Sequence, residues 1–398
     1  GCVLANRLTA SGAHKVCLIE AGPADWSPFI KIPAGFMRSV TNPNLNWLYS
    51  TEPSEGTNGR SIPTPRGKVI GGSSSINGLI FNRGHKLDFD GWAQRGNLGW
   101  GYNDLLPYFK SIETYLPDKA SRLSTENKKR FRGKNGEMIV TDLAWRDPLC
   151  DAFIRSAISL GIPFNSDYNG ENQEGVSYVQ RTAMGLFRMS ASRAFLKPAL
   201  RRKNLYLIKN ALVTRILVTG NKALGVVYQN NKQRGEITTI RARNEVIVSG
   251  GAINSPQLLQ LSGIGPGKLL QSHGIKVNRD IDGVGYNLRD HLATRLTGRA
   301  KNAKTINEMS RGLSLMVQVG KYFLGQKSIL SLGPTLVYCF WHSNSLIKNN
   351  DLQISFTPAS YAQGRQAKLD RLPGFSIASW VQRPESAGWV KIKSSNPF

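Results

Sequence analysis

Two glycine pairs, each following an apolar segment, constrain the fold of this 398-residue chain more than any other feature of its sequence. The first pair lies in GKVIGGSSSINGLIFNRG, residues 67–84, and the second in EVIVSGGAINSPQLLQLSGIG, residues 245–265. Glycine has no Cβ atom, so a flat or anionic ligand can come into contact with the backbone at such positions. Taken alone, either pair is equally explained as a tight turn.

The residues around the pairs predict strand-to-helix transitions. KVI, residues 68–70, predicts a short strand before the first pair, and 245–248 predicts a buried strand before the second. After the second pair we expect a helix with Asn254 or Ser255 as N-cap and Pro256 at its first position. Such a helix start presents free N–H groups and the positive end of a dipole, which suits an anionic ligand.

The first residues of the chain resemble the second half of a βαβ unit. Helical spacing of apolar residues predicts a helix over 2–10, and KVCLIEAG, residues 15–22, predicts a strand. Gly1 and Glu20 have the spacing of the last glycine and the ribose-binding acid of a dinucleotide fingerprint. An ordinary helix–strand pair ending in a surface acid explains this spacing equally well. Together with the two glycine pairs, a dinucleotide-binding site is the better interpretation.

Length and composition favour a mixed α/β protein of two domains. The chain is 40% apolar and contains 40 glycines and 19 prolines, which is typical of a loop-rich globular fold. Residues 206–248 predict a strand-rich meander, and the sequence after His291 reads as a second domain. The longest apolar run, residues 329–341, is too short for a membrane span and contains Gly333 and Pro334.

The charge of the chain predicts anionic partners. The 52 Lys and Arg residues against 26 Asp and Glu give a net charge of +26. The densest basic stretch, ENKKRFRGK at Glu126–Lys134, is interpreted as a solvated surface loop, with contact to an anionic membrane as the alternative. We expect no nucleic acid partner, because no nucleic-acid-binding motif accompanies the charge.

The cysteines predict reduced thiols in a cytoplasmic protein. The basic charge leaves a membrane-associated position on the inner face as the alternative location. Cys2, Cys17, Cys150 and Cys339 are far apart and form no CxxC pair. This spacing indicates neither a zinc site nor a disulfide framework, so no metal is expected.

Seven stretches together resemble the glucose-methanol-choline (GMC) flavin oxidoreductases. The first glycine segment resembles the first signature of that family, and residues 251–265 resemble the second. Further family-like stretches occur in family order: LIEAGP at 18–23, NWLYSTEP at 46–53, SASRAFLKP at 190–198, GVGYNLRDH at 283–291 and QRPESAGWVKIKSSNP at 382–397. The choline dehydrogenase-like and alcohol dehydrogenase branch is the most similar.

The resemblance implies a Rossmann-like FAD-binding domain and a second, mostly antiparallel-sheet substrate domain. The first would span 1–294, with substrate-domain segments inserted around 85–205, and the second would span 295–398. Because the chain begins at Gly1 without a methionine and its last residues lack a closing element, we expect a fragment in which both domains are incomplete. The first strand and the first two glycines of the fingerprint would precede Gly1.

The resemblance also implies which residues bind FAD. Glu20 would hold the adenosine ribose, the backbone of Val213 would meet the adenine, and Asn287 with Asp290 would lie near the ribityl chain. The full set of expected cofactor-binding residues is Gly1, Glu20, Ala21, Arg66, Val69, Gly71, Gly72, Ser73, Asn77, Gly78, Leu79, Ile80, Val213, Gly250, Gly251, Ser255, Asn287 and Asp290. Relatives with covalent flavin carry a histidine where Ile76 stands, so non-covalent FAD is expected.

The resemblance predicts no catalytic residue within this chain. The family's base is a histidine in a C-terminal motif, paired with a second His or Asn, and it would lie beyond Phe398. The five histidines present are His14, His85, His273, His291 and His342. None of them matches that motif, so we expect residues 1–398 alone to turn over no alcohol. Because the strand before Gly1 would be missing from the sheet, we also expect this chain alone to fold poorly and to bind FAD weakly.

The expected reaction is oxidation of the CH–OH group of an alcohol or choline to an aldehyde, with hydride passing to flavin N5. The partners are then a small alcohol substrate and an electron acceptor, either a quinone or another acceptor. An oxygen-using alcohol oxidase is the alternative enzyme. A degenerate or non-enzymatic flavin-binding relative is the alternative of another class.

Overall fold

A computed structural model describes residues 1–118, 124–230, 236–347, 349–362 and 367–398 of the chain. The fold is mixed α/β, as predicted, and contains several sheets rather than one. The predicted turn around 230–235 lies mostly outside the described residues.

The α-helices are short and are distributed along the whole chain. They are α1 (Cys2–Leu8), α2 (Pro28–Lys31), α3 (Phe36–Ser39), α4 (Lys86–Gln94), α5 (Tyr102–Ile112), α6 (Thr125–Phe131), α7 (Pro148–Ser159), α8 (Lys197–Ala199), α9 (Gly251–Leu261), α10 (Gly267–Ser272), α11 (Ile306–Met309) and α12 (Gly312–Phe323). Short 3₁₀ turns include Gly72–Ser75 and Ile329–Ser331, and Ser192–Leu196 forms a π-helical turn.

The strands are also short, with the longest in the middle and last thirds of the chain. They are β1 (Val16–Ile19), β2 (Glu113–Leu116), β3 (Met138–Asp142), β4 (Gly175–Tyr178), β5 (Gln180–Arg181), β6 (Ala183–Met184), β7 (Phe187–Arg188), β8 (Leu205–Ile208), β9 (Ala211–Thr219), β10 (Lys222–Asn230), β11 (Ile237–Arg241), β12 (Ile264–Gly265), β13 (Arg279–Asp280), β14 (Tyr286–Leu288), β15 (Thr294–Arg299), β16 (Val337–Trp341), β17 (Leu352–Thr357), β18 (Gly374–Val381) and β19 (Gly388–Trp389).

An antiparallel sheet of five strands, in the order β15-β18-β17-β16-β4, forms the larger structural unit. Its edge strand β4 comes from the first half of the chain and the other four strands follow residue 293. The insertion of substrate-domain segments around 85–205 and the domain boundary at 294/295 both stay predictions.

The main apolar core lies between this sheet and α7. Cys150 and Ile154 of the helix pack with Val337 and Phe356 of the sheet, and Cys150 and Val337 are completely buried. Burial of such side chains contributes about 1.5–3 kcal/mol each to folding. Ile80 of the first glycine segment also packs against this core.

The parallel pair β1 and β8 forms the second structural unit, together with α1. Val16 pairs with Leu205 and Ile19 with Ile208. Ala5 of α1 packs with Leu205 and with Ile70, which directly precedes the first glycine pair. This small core fixes the first glycine pair beside the end of β1.

The predicted meander is present as the antiparallel sheet β11-β10-β9, but the predicted strand at 245–248 is not formed. Residues 245–249 are irregular, and Ile247 is 46% exposed. A strand needs a neighbour for its N–H and C=O groups, and no described segment pairs with this one. Apolar composition alone therefore overestimated the regular structure here.

Two further local predictions are wrong. Residues 68–70 form no strand, because the N–H of Ile70 donates to Pro23 and the N–H of Gly72 closes a turn onto Val69. Helix α9 begins at Gly251, with Gly250 as its N-cap, and not after Asn254 or Ser255. Pro256 lies inside the helix, where it removes one backbone hydrogen bond.

The basic stretch Glu126–Lys134 is not the solvated loop that its charge predicts. Most of it forms α6, and Arg132 is buried against Glu113 and Asp167. A run of charges does not distinguish a solvated cation from one with a buried acidic partner far away in the sequence.

Within the described ranges, every helix is too short or too polar to pass through a lipid bilayer.

Candidate cofactor-binding site

The chain turns sharply at the first glycine pair, where neither residue has a side chain to cover the backbone. Gly71 and Gly72 have φ angles of 89° and 55°, which L side chains rarely adopt. A Cβ at Gly71 would stand 2.5 Å from Ser75 Oγ and 3.1 Å from Ser192 Cβ. Ser192 therefore lies directly against this turn, and only glycine fits between them.

The serines that follow the pair differ in their roles. Ser74 Oγ donates to Gly71 O at 2.6 Å and accepts from the N–H of Ala191 at 2.9 Å. Ser75 is buried and donates to Ile70 O at 2.8 Å. Ser73 is exposed and accepts from the N–H of Gly67. Two of the three hydroxyls thus close the turn, and only Ser73 faces solvent.

The end of this segment is held by Asn77. Its Oδ1 accepts from the N–H of Leu79 at 3.1 Å and from Nη1 of Arg188 at 2.7 Å. Leu79 is buried with a positive φ of 64°, and a Cβ at Gly78 would meet the ring of Pro334 at 2.5 Å. Pro334 precedes β16 of the antiparallel sheet, so the segment joins the two structural units.

Two buried polar atoms beside the first glycine pair have no hydrogen-bond partner among the described residues. They are Ser192 Oγ and Arg188 Nη2, in side chains that are 0% and 2% exposed. The Arg188 guanidinium otherwise bonds Ile30 O, Ser74 O and Asn77 Oδ1. Burial lowers its pKa to about 10. An unpartnered donor of this kind is expected where a ligand completes the site.

The sequence did not single out Arg188 or Ser192 as site residues, although SASRAFLKP was recognised as a family-like stretch. Both lie more than 100 positions from the residues they contact, so no local spacing relates them to the glycine pair. The signal that could have found them is the position of this serine-rich stretch among the other family-like stretches.

Glu20 lies at the end of β1, next to the first glycine segment. Its Oε1 accepts from the N–H of Gly22 at 2.9 Å, and burial raises the pKa of this carboxyl to about 7. A Cβ at Gly22 would clash with the backbone of Lys68 at 2.0 Å, which shows how closely the two segments pack. Ala21 lies between Glu20 and Gly22.

The meander starts from the same point. The N–H of Ala211 donates to Glu20 O at 2.9 Å, and Val213 follows two residues later in β9. The structure thus brings Val213 close to the acid that was predicted to hold the ribose.

Gly1 lies between the end of β1 and the segment that leads to the second glycine pair. A Cβ at Gly1 would be 3.5 Å from Leu18 Cδ1 and 3.7 Å from Ser249 Cβ. The backbone N–H of Gly71 donates to the sulfur of the neighbouring Cys2. Gly1 therefore stands where the two glycine pairs and β1 approach one another.

The second glycine pair is open to solvent. Gly251 has a φ of 84°, and a Cβ there would meet no atom within 4 Å. Asn254 donates from Nδ2 to the hydroxyl of Tyr49 at 2.7 Å, which anchors the first turn of α9 to the loop before the first pair. Ser255 lies in the same part of the helix.

Asn287 and Asp290 approach the site from the other side. Asp290 forms an ion pair with Arg66 at 3.7 Å, and Asn287 has a positive φ of 60°. Because both side chains of the ion pair are partly exposed, it adds little to stability. The ion pair does, however, place residues 287–290 next to the start of the first glycine segment.

These contacts bring several of the predicted cofactor residues close together, although Val69 and Leu79 are buried. Gly1 and Gly71 are connected through Cys2, Glu20 contacts Ala211 two residues before Val213, and Arg66 pairs with Asp290. The surface around these residues, the glycine surface, offers bare backbone, hydroxyls and a buried guanidinium with a free donor. That donor set fits the pyrophosphate and polar edges of a dinucleotide such as FAD.

Four of the five histidines have roles in local structure. His85 caps α4 through Nδ1, His273 ends α10, and His342 pairs with Glu174 at 3.1 Å. The backbone oxygen of His14 accepts from Asn204. His291 follows Asp290, but its Nε2 contacts Gln382 O at 2.8 Å. None of these contacts involves either glycine pair.

A cavity of about 470 Å³ lies elsewhere, lined by residues that include Asp142, Arg146, Asp151 and Tyr178. Its carboxylates are used within the chain: Tyr115 donates to Asp142 and Tyr178 donates to Asp151, each at 2.8 Å. None of the predicted cofactor residues lines it. The predicted cofactor residues therefore lie apart from this cavity.

A family model described as GMC oxidoreductase matches residues 7–293 of this chain. The oxygen-dependent choline dehydrogenase of Photobacterium profundum is 36% identical over 405 residues, which cover the whole chain and 68% of that relative. The alcohol dehydrogenase [acceptor] of Pseudomonas putida is 36% identical over 402 residues, which cover the whole chain and 70% of that protein.

Solved structures give the same fold. Pyridoxine 4-oxidase from Mesorbium loti superposes with a TM-score of 0.84 at 26% identity, over the whole chain and 72% of that protein. A formate oxidase variant of Aspergillus oryzae RIB40, studied for FAD modification, superposes with a TM-score of 0.87 at 24% identity. That alignment covers the whole chain and 73% of the oxidase, and at this identity it is evidence for the fold alone.

Proposed function

Because the chain belongs to the GMC oxidoreductase family, a family of FAD-dependent enzymes that oxidise CH–OH groups, we propose that its open glycine surface binds FAD without a covalent link. The observation that carries this proposal is the turn at Gly71, which Ser192 closes from one side and where two buried polar atoms lack partners. Bound FAD supplies a hydride acceptor for the carbon of the alcohol.

The residues on the surface have distinct roles in this proposal. The Glu20 carboxylate accepts hydrogen bonds from the adenosine ribose, and the backbone at Val213 contacts the adenine. Backbone N–H groups of the first glycine segment, with Ser73 and the guanidinium of Arg188, bind the pyrophosphate and flavin edge. The remaining contacts come from the start of α9 and from 287–290.

The absence of a covalent link is supported by Ile76. Its side chain is 2% exposed and packs with Ile30, Leu45 and Val69. An aliphatic side chain cannot form a bond to the flavin ring, whereas a histidine at this position could. We therefore expect acid precipitation to release all of the flavin.

The donor class and the acceptor are proposed on the names of the relatives. A choline or simple alcohol donor fits the choline dehydrogenases and the alcohol dehydrogenase that resemble this chain. Both a quinone-like acceptor and oxygen are compatible with them, since one relative is named oxygen-dependent and another is named with an acceptor. Dye reduction under nitrogen, compared with oxygen consumption, separates the two.

Peripheral contact with an anionic membrane is also part of the proposal. A net charge of +26 favours accumulation at anionic surfaces. This part concerns where the protein lies and does not alter the role of the glycine surface.

The test of the cofactor proposal is FAD binding by Gly71→Ala, with Gly12→Ala as the matched control. Both glycines have strongly positive φ angles, of 89° and 79°, but only at Gly71 would a Cβ meet neighbouring atoms. Backbone strain alone costs about 1–3 kcal/mol in each variant. We expect Gly71→Ala to weaken FAD binding by about tenfold or more and Gly12→Ala to leave it unchanged.

Titration of flavin fluorescence against each protein gives the dissociation constants, and circular dichroism shows whether the variants are folded. Equal FAD affinity in Gly71→Ala and the unmodified chain would mean that the flavin binds elsewhere. We expect addition of choline or primary alcohols to the reconstituted chain under nitrogen to leave the oxidised flavin absorbance unchanged, since none of its histidines matches the catalytic motif. Loss of that absorbance would contradict this expectation.

A further inference from the structure

Helix α12, Gly312–Phe323, carries its apolar side chains on the face that is turned to solvent. Leu313, Met316 and Val317 are 82%, 69% and 55% exposed, and Phe323 and Leu324 at its end are 70% and 75% exposed. Spacings of three, four and seven residues place side chains on one side of an α-helix. These five side chains form one continuous apolar stripe.

The opposite face of α12 is polar and is fixed to the rest of the protein. Gln318 and Tyr322 are almost fully buried. Gln318 Oε1 accepts from the N–H of Ile329 at 3.1 Å, and the Gln318 carbonyl accepts from Ser328 Oγ at 2.7 Å. The Tyr322 hydroxyl donates to the carbonyl of Leu186. Rotation of the helix to bury its stripe would break all three bonds, so the stripe stays outside.

The sequence around α12 is basic. Lys301, Lys304, Lys321 and Lys327 are exposed, and Glu308 is the one acidic residue in the printed sequence between 299 and 328. Glu308 is used inside the chain, where its Oε2 accepts from the N–H of Thr305. Lys301 and Lys304 precede α12 in the sequence, Lys321 lies in its last turn and Lys327 follows it, so this part of the chain is positively charged.

We propose that α12 lies in the plane of an anionic lipid bilayer, with the stripe in the headgroup and acyl boundary and the lysines on lipid phosphates. An amphipathic helix with an exposed apolar side and flanking cations binds such a surface through both contributions. A second copy of the chain would bring the same stripe but also the same net charge of +26, and like charges oppose that contact. An anionic bilayer satisfies the stripe and the lysines together.

This inference specifies the surface for the membrane contact proposed above. Its test measures lipid binding without flavin or substrate, so its failure would leave the cofactor proposal untouched. Failure of FAD binding would likewise leave the membrane surface untouched.

The stripe is tested with the double variant Met316→Ser/Val317→Ser. The matched control is Leu98→Ser/Leu160→Ser, since those leucines are 88% and 79% exposed but lie outside α12. Co-sedimentation with phosphatidylcholine vesicles containing phosphatidylglycerol gives a partition coefficient for each protein. We expect it to fall about tenfold or more in the stripe variant and to stay unchanged in the control.

The charges are tested in the same assay with Lys321→Gln/Lys327→Gln, against Lys15→Gln/Lys203→Gln as the control pair on other surfaces. One lysine near an anionic surface contributes about fivefold to binding, so the first pair should weaken partitioning by about tenfold or more. Added salt should weaken binding of the unmodified chain, and vesicles of phosphatidylcholine alone should bind less of it.

Two results would overturn the inference. One is that the unmodified chain fails to sediment with phosphatidylglycerol vesicles, or that the stripe variant sediments as well as the control. The other is that the chain self-associates in size-exclusion chromatography and loses this in the stripe variant, which would assign the stripe to a second copy. Thermal unfolding of every variant shows that all are folded.

Discussion

At the scale of single residues, Glu20 is the side chain whose protonation links stability to the proposed function. It lies partly buried at the end of β1, and desolvation there raises the pKa of its carboxyl from 4.5 to about 7. A group with a raised pKa in the folded chain favours folding when protonated and opposes it when ionised. An acid in this environment destabilises the folded chain when it is ionised. Its presence therefore suits a ligand-binding role better than a structural one.

The first prediction concerns stability as a function of pH. Glu20 contributes no penalty below about pH 4.5, because its carboxyl is then protonated in both states. The penalty grows as pH rises from 4.5 and is complete above 7, because the unfolded chain loses the proton first. Glu20→Gln removes this titration. The unfolding free energy of the variant, relative to that of the unmodified chain, should therefore be about 2 to 3 kcal/mol higher at about pH 8 than at about pH 5.

Urea unfolding of both proteins at the two pH values, without FAD, checks this difference. Glu137→Gln is the control, since Glu137 lies in a largely exposed ion pair with Arg7. Glu20→Gln should also weaken FAD binding. It should abolish the improvement of FAD binding with rising pH, because ribose hydroxyls bind the ionised carboxylate best. An equal pH dependence in Glu20→Gln and the unmodified chain would contradict the prediction.

Local spacing in the sequence singles out only some of the candidate site residues. Gly71, Gly72 and Glu20 were identified in this way, because a glycine turn and an acid after a strand are short-range patterns. Arg188 and Ser192 were not, since they reach the glycine turn only through the fold. Long-range contacts of this kind leave no trace in residue spacing.

At the scale of elements, the start of β2 and the end of α6 are joined by buried charges. Glu113 is fully buried and binds the guanidinium groups of Arg83 and Arg132. Arg132 also binds Asp167 at 2.7 Å and lies 3.7 Å from the centre of the Tyr115 ring. This network connects four parts of the chain, and one of them, at Arg83, belongs to the first glycine segment.

The second prediction is that Glu113→Gln destabilises the fold by about 3–5 kcal/mol, because it leaves buried guanidinium charge without its main partner. Equilibrium unfolding in urea measures this. Glu137→Gln again serves as the control and should cost less than about 1 kcal/mol, since the Arg7–Glu137 pair is largely exposed. Similar losses in the two variants would mean that the buried network adds nothing beyond a surface pair.

Whether an apolar segment forms a strand depends on a partner that the segment itself does not specify. Residues 16–19 and 246–248 are apolar and rich in β-branched side chains, and both lie in segments that are predicted as strands. The first pairs with Leu205–Ile208, whereas no described segment pairs with the second. The basic stretch at 126–134 shows the same principle for charge, because the burial of Arg132 depends on Glu113 and Asp167.

At the scale of the whole molecule, the two structural units differ in how they are stabilised. The five-stranded sheet has its own packed core with α7. The unit that contains β1 and β8 has a smaller core, and its glycine surface is open. A ligand that binds only the folded state stabilises the part it contacts, by about 2.7 kcal/mol at a concentration of one hundred times its dissociation constant.

The last prediction is therefore that FAD protects one unit from amide hydrogen exchange and not the other. Residues 66–80 and 249–255 should exchange more slowly with FAD present, because the proposed cofactor would cover these backbone segments. Residues 352–357 and 374–381 are paired on both sides and should be protected equally with and without FAD. Mass spectrometry of peptides from both regions gives the comparison, and Gly71→Ala should lose the protection at 66–80. Protection that increased only in the five-stranded sheet would mean that the flavin binds there, and the glycine surface would then have a structural role alone.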